Sequence, residues 1–288
     1  MCNARPRPVI ILALLGCAAV ACSLPVEAAA QPTATSTPAP TPASTPTLTP
    51  VPTATAFPQG WQPLLPGLDL RFEMIPIDGL DFPAQALVLR VDPARYTFRM
   101  SYTPGRGAKV STWHAQMGAL VTLNGGFFLP DKTTLGLIVS DGQPYGQTFA
   151  ATANAGMLAE VEGSITLRSL GQFPYDASEP LDQAVQGRPM LLYPGRYPVE
   201  FSLPTDLSRR TAVAQDGAGT LYFIVVDGPL VSLYDLRDWL ATSDIADFWV
   251  AFNLDGGGST GVAITAGDFT LSYDSINIIP SVISIYPR

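Results

Sequence analysis

The sequence predicts an α+β fold, a single strand-rich domain with a mixed sheet and a few flanking helices, after a disordered N-terminal tether. Two observations predict this class. Short apolar stretches of strand length, separated by Gly and Asp turn signals, recur from Trp61 onward, and few segments have helical periodicity. Residues 1–58 lack the composition of a packed core, whereas residues 59–288 are long enough to form one domain.

Residues 1–22 have the features of an export signal peptide, of the lipoprotein type. Arg5 and Arg7 provide a positive start, and the apolar residues 9–21 are too few to span a bilayer stably. Small residues precede Cys17 and Cys22, as in the lipobox of bacterial lipoproteins, whose cysteine is lipidated. We favour Cys22 as the lipidated residue, with Cys17 as the alternative, over an ordinary signal peptide.

Residues 23–58 are predicted to be a disordered linker. From residue 31 onward this segment is almost entirely Pro, Thr, Ala and Ser and carries no charge, so it cannot bury enough apolar surface to offset the entropy of ordering. Frequent prolines keep such a chain extended. We therefore expect an extracytoplasmic protein, either a membrane-anchored lipoprotein or a secreted one, which contacts the membrane only through its N-terminal lipid.

The domain at residues 59–288 contains a series of predicted strands. Each is an apolar or alternating run bounded by turn residues. They are residues 68–77, 86–91, 96–102, 119–123, 135–140, 156–161, 164–170, 190–193, 210–215, 221–226, 248–254, 262–265, 269–273 and 282–285.

Three segments of the domain are predicted to be short helices. The strongest signal lies at residues 232–241, where Ser232 stands at the N-cap position and Asp235 at the acidic position of a capping box. The other two predicted helices are residues 110–117 and a segment around residues 179–185.

Charge and cysteine content exclude several classes of function. The net charge is −8 with no basic cluster, which argues against binding of nucleic acid or of an anionic membrane surface. All three cysteines precede residue 23, and His114 is the only histidine. The domain therefore has no disulfide, no thiol nucleophile and no Cys/His zinc site. We expect a monomer without a cofactor, although calcium bound by carboxylate and backbone oxygens remains an open alternative.

Two predicted strands end in the same pattern, an Asn or Asp followed by glycines. These segments are 123–126 (LNGG) and 253–260 (NLDGGGST). Glycines leave backbone N–H groups uncovered, so each segment could bind an anion or a sugar, although either one alone is more typical of a tight turn. If the two strands are neighbours, Asn124 and Asp255 lie together in a pocket that suits a phosphorylated or polyhydroxylated ligand.

The ordered motifs of the domain resemble those of the phosphodiester glycosidase family, the bacterial relatives of the mammalian mannose 6-phosphate uncovering enzyme. The motifs that carry the resemblance are NGGFF at 124–128, Arg210-Thr211 at the start of a strand, VVDG at 225–228, the helix at 233–240 and NLDGGGST at 253–260. The resemblance extends over residues 84–266. It implies hydrolysis of a sugar-1-phosphodiester, typically N-acetylglucosamine linked through phosphate to another sugar, and a connection with exopolysaccharide.

The resemblance also implies roles for individual residues. A phosphate monoester is a good leaving group, so the site needs cations and N–H groups for the phosphate more than a strong acid. The predicted catalytic residues are Arg210, which binds the phosphate, and Asp255 or Asp227, which acts as base, nucleophile or charge stabiliser. The predicted substrate-binding residues are Asn124, Gly125, Gly126, Thr211, Gly256, Gly257, Gly258, Ser259 and Thr260.

Three alternatives accompany this reading. Asp227-Gly228 is equally consistent with a simple turn, and Arg210 could pair with a surface acid.

Family members often place an asparagine and an arginine near the C-terminus, whereas residues 275–288 contain one asparagine, Asn277, and no internal arginine. The leading prediction is therefore an extracytoplasmic hydrolase of sugar-1-phosphodiesters. The alternative is a non-catalytic glycan-binding module on a cell-surface lipoprotein.

Overall fold

A computed structural model describes residues 59–149, 154–202 and 206–288. The predictions for residues 1–22 and 23–58, including the lipidation of Cys17 or Cys22, lie outside these ranges. Within them the strand-rich character is confirmed, but the chain is predominantly β rather than α+β, with two α-helices, α1 (Val110–Met117) and α2 (Leu233–Thr242). Neither helix is long and apolar enough to cross a bilayer.

The strands of the described residues form three sheets. The strands are β1 (Gln62–Leu65), β2 (Leu68–Ile75), β3 (Ala84–Val91), β4 (Tyr96–Tyr102), β5 (Val121–Asn124), β6 (Ile138–Ser140), β7 (Gln143–Tyr145), β8 (Gly156–Val161), β9 (Ser164–Ser169), β10 (Gln183–Gly187), β11 (Met190–Tyr193), β12 (Tyr197–Pro198), β13 (Ser208–Asp216), β14 (Leu221–Val231), β15 (Phe248–Asn253), β16 (Val262–Ala266), β17 (Phe269–Tyr273) and β18 (Ser281–Pro287).

The largest sheet has eight strands in the order β1-β2-β3-β14-β13-β15-β11-β12, and the two smaller sheets have the orders β7-β6-β10-β8-β9 and β17-β16-β5-β18-β4. Every strand pair in the described part of the chain is antiparallel, so the predicted mixed sheet is wrong. Short hairpin turns connect many of these strands, and such turns can join only antiparallel neighbours.

The main core lies between the eight-stranded sheet and the two smaller sheets. It contains fully buried side chains from all three sheets, such as Phe223, Leu123 and Leu158. The other face of the eight-stranded sheet packs against the apolar face of α2, which includes Leu236 and Leu240. This layering explains why the central strands are apolar on both faces, because each face is covered.

The two helices form where the sequence predicts them, for identifiable local reasons. The Ser232 side chain accepts a hydrogen bond from the Asp235 N–H, and the Asp235 side chain accepts one from the Ser232 N–H, so the predicted capping box is confirmed. Helix α1 ends at Gly118, whose φ of 61° is in the left-handed region that glycine tolerates best.

The helix predicted around residues 179–185 is wrong. Its C-terminal part belongs to β10, all five residues of which are buried between β6 and β8. Leu181, Ala184 and Val185 have helical spacing, but a strand covered on both faces also needs apolar residues at successive positions.

Candidate functional site

The chain after β15 forms a compact loop, residues 254–261, which we call the glycine loop. Its centre is one turn of 3-10 helix at Gly257–Ser259. Gly257 has a φ of 59°, in the left-handed region. A side chain at Gly261 would place its Cβ 2.8 Å from the backbone nitrogen of Ser275. Glycine is therefore required here both for backbone conformation and for close packing.

Asn124 lies next to Asp255, as predicted, although the two residues do not come from neighbouring strands. The Asn124 Nδ2 group donates a hydrogen bond of 2.7 Å to the Asp255 carbonyl oxygen. However, β5 and β15 belong to different sheets, so the two strands are not neighbours as the sequence suggested. The two strand ends meet across the core.

Asn124 acts in this structure as an internal support for the glycine loop. Its side chain is buried, and Oδ1 accepts hydrogen bonds from the Thr211 hydroxyl at 2.7 Å and the Gly261 N–H at 3.2 Å. Thr211 in turn lies 3.4 Å from the Thr260 hydroxyl, between Oγ1 atoms. These groups connect the large sheet to the loop from the interior.

Two further predicted binding residues lie behind the loop. Gly125 and Gly126 are buried, and the Gly125 N–H donates to the Ser281 carbonyl oxygen at 3.0 Å. A Cβ on Gly125 would lie 2.6 Å from the Ser281 Oγ atom. Gly125 thus permits close packing against β18, and Gly126 permits close packing against β10, where its Cβ would lie 3.1 Å from the Val185 Cγ2 atom.

Asp255 is the partly exposed carboxylate of the glycine loop. Its Oδ1 atom accepts a hydrogen bond of 2.9 Å from the Gly256 N–H. Burial raises the pKa of Asp255 to about 6, even though hydrogen bonds from the Ser259 side chain and the Gly256 N–H oppose the rise. A carboxyl group with such a pKa can accept or donate a proton near neutral pH.

Asp227 belongs to an ion pair that the sequence did not reveal. It lies in β14 where a register shift interrupts the pairing with β13, and it pairs with Arg209, the neighbour of the predicted Arg210. Arg209 is 8% exposed and donates from Nη2 to the Asp274 carbonyl oxygen at 3.0 Å. Its buried Nη1 atom has no partner among the described residues. Asp227 is thus neither a simple turn residue nor an unpaired carboxylate.

Arg210 faces a separate cavity beside the glycine loop. Its Nε atom donates to the Val231 carbonyl oxygen at 3.1 Å, and Nη2 donates to the Asp206 carbonyl oxygen at 2.8 Å. Nη2 also pairs with the exposed Asp206 carboxylate at 3.6 Å, so the alternative that Arg210 pairs with a surface acid is confirmed. The cavity has a volume of about 460 Å³. Its lining residues are Phe127, Asn154, Arg188, Pro189, Arg210, Leu233 and Asn253. We call it the arginine cavity.

The arginine cavity contains one exposed arginine, Arg188, whose guanidinium group lies over the Phe149 ring at 4.8 Å. Arg188 is exposed and pairs with no carboxylate in the part of the chain that the structure describes. The Asn253 Nδ2 group donates to the Arg188 carbonyl oxygen at 3.0 Å, while its buried Oδ1 has no partner in the described ranges. Two guanidinium groups and an unpartnered acceptor therefore line one cavity.

The glycine loop and the arginine cavity adjoin each other. A Cβ on Gly256 would lie 3.8 Å from the Arg210 Cδ atom, so the loop packs directly against this side chain. Asn253 lines the cavity two residues before Asp255. An anion on the arginines would thus lie near the loop that carries the carboxyl group with the raised pKa.

The C-terminal segment closes over the glycine loop. The Asn277 N–H donates to the Gly258 carbonyl oxygen at 2.8 Å, and a Cβ on Gly258 would lie 2.6 Å from the Asn277 Nδ2 atom. The single asparagine of this segment is therefore in contact with the loop.

Sequence reasoning missed Arg188, Arg209 and Asn253 as site residues. Asn253 begins the NLDGGGST motif, which was a usable signal. No sequence signal marked Arg188. The sequence also did not show that Arg209 pairs with Asp227 while Arg210 faces the cavity, because the β-bulge in β13 changes which face of the sheet each following side chain occupies. Within the described ranges, no group of three or more His, Cys, Asp or Glu residues is arranged to hold a metal ion.

Solved structures with the same fold come from distant organisms. The catalytic domain of zebrafish N-acetylglucosamine-1-phosphodiester alpha-N-acetylglucosaminidase, auto-inhibited by its pro-peptide, matches with a TM-score of 0.63 and 22% identity over 80% of this chain and 87% of that chain. A hypothetical protein from Synechocystis matches with a TM-score of 0.57 and 16% identity over 82% of this chain and 65% of that chain. A putative exported protein from Burkholderia pseudomallei matches with a TM-score of 0.52 and 13% identity over 71% and 74%.

At these identities the structural matches establish the fold alone. No match is found among the curated proteins. The family model described as phosphodiester glycosidase matches residues 117–285, more than half of the chain, and this range contains the glycine loop, Arg210 and the arginine cavity. The chain belongs to the phosphodiester glycosidase family.

Proposed function

We propose that the chain is an extracytoplasmic hydrolase that cleaves sugar-1-phosphodiesters of the N-acetylglucosamine-1-phosphodiester type in surface or exported polysaccharide. The observation that carries the proposal is the arginine cavity, which Arg188 and Arg210 line together, and the packing of Arg210 against Gly256, the neighbour of Asp255 in the glycine loop. Family membership supports the reaction class, and the features of residues 1–58 support export.

In the proposed reaction the two arginines hold the phosphate. Guanidinium groups form strong hydrogen bonds with phosphate oxygens, and Arg188 is available because no carboxylate of the described residues pairs with it. Asn253 and Phe127 also line the cavity, and Phe127 provides an apolar wall for the sugar ring. A polyhydroxylated, phosphorylated ligand satisfies all of these groups.

Asp255 is the proposed general base. Its carboxylate takes a proton from a water molecule as the water oxygen bonds to the anomeric carbon, the bond from that carbon to the phosphate oxygen breaks, and the phosphomonoester leaves on the arginines. The pKa of about 6 keeps the base mostly ionised at neutral pH. We assign Asp227 a supporting role, because its pairing with Arg209 leaves it less available.

The remaining elements of the proposal follow from the sequence. The protein acts as a monomer without a cofactor, reaches the membrane only through the lipid on Cys22 or Cys17, and does not bind nucleic acid.

The test is release of free N-acetylglucosamine from UDP-N-acetylglucosamine. We expect Asp255→Asn to lower kcat by at least about 100-fold, since general bases contribute on that order. Arg188→Met should mainly raise KM, whereas the controls Asp268→Asn and Arg99→Met, at exposed positions on other elements, should match the wild type. Unchanged turnover in Asp255→Asn would remove it from the mechanism, and binding of the sugar without release would favour a glycan-binding module.

A further inference from the structure

A second groove lies toward the other end of β15 from the glycine loop. It has a volume of about 590 Å³, and residues of β9, β13 and β15 line it together with neighbouring loops. Trp249, one of its lining residues, is four positions before Asn253, which corresponds to about 13 Å along a strand. The groove is therefore distinct from the arginine cavity, and we call it the Trp249 groove.

Trp249 is directed outward by a β-bulge. Gln215 pairs with Val250 and Asp216 pairs with Phe248, so Trp249 has no partner across the ladder. Its neighbours Phe248 and Val250 are buried, whereas Trp249 is 47% exposed. A bulge redirects a side chain and is often found where a surface has a function.

Two more exposed aromatic residues surround the groove. Phe173, 58% exposed, lines it, and Tyr197, 68% exposed, lies on the adjoining β11–β12 hairpin. The Tyr197 ring covers Gly195, where a Cβ would lie 2.5 Å from the ring atom Cε2. The Arg196 N–H donates to the Trp249 carbonyl oxygen at 2.9 Å, which fixes the hairpin beside the bulge.

Polar groups separate these rings. Arg168 lines the groove and pairs with Glu179 at 2.6 Å through Nη2, but its buried Nε atom has no partner among the described residues. Asp216 and Gln215 also line the groove. Separated ring faces with polar groups between them match a pyranose, which has an apolar C–H face and hydroxyl groups at its edge.

We propose that the Trp249 groove binds a neutral glycan chain and is a second binding site, separate from the arginine cavity. Trp249 and Phe173 stack on the sugar faces, and Arg168, whose Nε atom has no partner among the described residues, contacts a hydroxyl group. The net charge of −8 disfavours polyanionic ligands. Such a site would hold a polysaccharide on the protein whether or not the arginine cavity is occupied.

The test is affinity electrophoresis of the full chain in native gels that contain glycol chitin, hydroxyethyl cellulose or dextran. We expect at least one of these neutral polysaccharides to retard the wild type. Trp249→Ala and Phe173→Ala should weaken the apparent association about ten-fold, the effect of losing an aromatic contact of this kind. Phe82→Ala, at an aromatic residue that is 53% exposed outside the groove, is the matched control and should behave as wild type.

The two proposed sites can be separated in the same experiment. Asp255→Asn should keep full retardation, and Trp249→Ala should keep the wild-type rate of N-acetylglucosamine release. If Trp249→Ala does not fold, as judged by near-UV circular dichroism, Phe173→Ala in a surface loop decides. The proposal is overturned by absence of retardation in all three gels, by retardation that both groove variants retain, or by a self-association of the wild type that Trp249→Ala abolishes.

Discussion

The raised pKa of Asp255 predicts how the stability of the protein depends on pH. The pKa rises from the ordinary value of 3.8 to about 6 on folding. At about 1.4 kcal/mol per pH unit, this difference corresponds to ~3 kcal/mol, and because the side chain keeps some contact with water we expect about 2 kcal/mol.

The sign follows from proton binding. Between pH 3.8 and about 6 the folded protein binds more protons at Asp255 than the unfolded chain does, so this group's contribution to the free energy of unfolding falls as the pH rises through that window. Below the window the carboxyl group is protonated in both states, and above it the group is ionised in both. The contribution is therefore constant on either side.

Urea unfolding of the wild type and Asp255→Asn between pH 4 and pH 8 measures this effect. Asparagine does not titrate, so the stability of the variant relative to the wild type should increase by about 2 kcal/mol from pH 4 to pH 7 and then stay level. Asp268→Asn, in the exposed turn between β16 and β17, should follow the wild type in parallel. A difference between Asp255→Asn and wild type that stays within about 0.5 kcal/mol over this range would refute the reasoning.

Three further changes test the packing around the site, each by urea unfolding. Gly261→Ala should destabilise the protein by about 1–3 kcal/mol because its Cβ meets backbone atoms, whereas Gly217→Ala, with no heavy atom within 4 Å of the Cβ, should change stability little; equal effects would contradict this. Ser232→Ala should cost about 1 kcal/mol through loss of the α2 cap, and no loss would show that the capping box is not formed. Asp227→Asn should destabilise more than Arg209→Met, by about 1–3 kcal/mol, because it removes the carboxylate that pairs with a buried guanidinium and leaves only the more distant charge of Asp274 to offset it; the reverse order would count against the ion pair.

Much of the strand pattern could be predicted because local signals and tertiary structure agree. Tyr96–Tyr102 alternates and forms β4, and the turn Glu162-Gly163 joins β8 to β9. The capping box of α2 is a short-range signal that requires no knowledge of the fold. Sheet order and strand direction could not be predicted, since they depend on contacts between residues far apart in the sequence.

The candidate site was predictable in its location but not in its detail. The approach of Asn124 to Asp255 could be predicted from two similar strand ends. Which of Arg209 and Arg210 faces the cavity could not be predicted, because a register shift in β13 decides which face of the sheet each side chain occupies. Whether Asn124 binds ligand or supports the loop depends on burial, which one strand end cannot reveal.

The contacts of Asn124 have a consequence for transplanting the site. The carbonyl oxygen of Asp255 is held by a side chain from the sheet that contains β5, and that side chain is held by Thr211 from the sheet that contains β13. The loop conformation is thus fixed before any ligand arrives, and little binding free energy is spent on ordering it. A peptide with the sequence NLDGGGST, grafted onto a foreign hairpin, would lack both supports and should not reproduce the site.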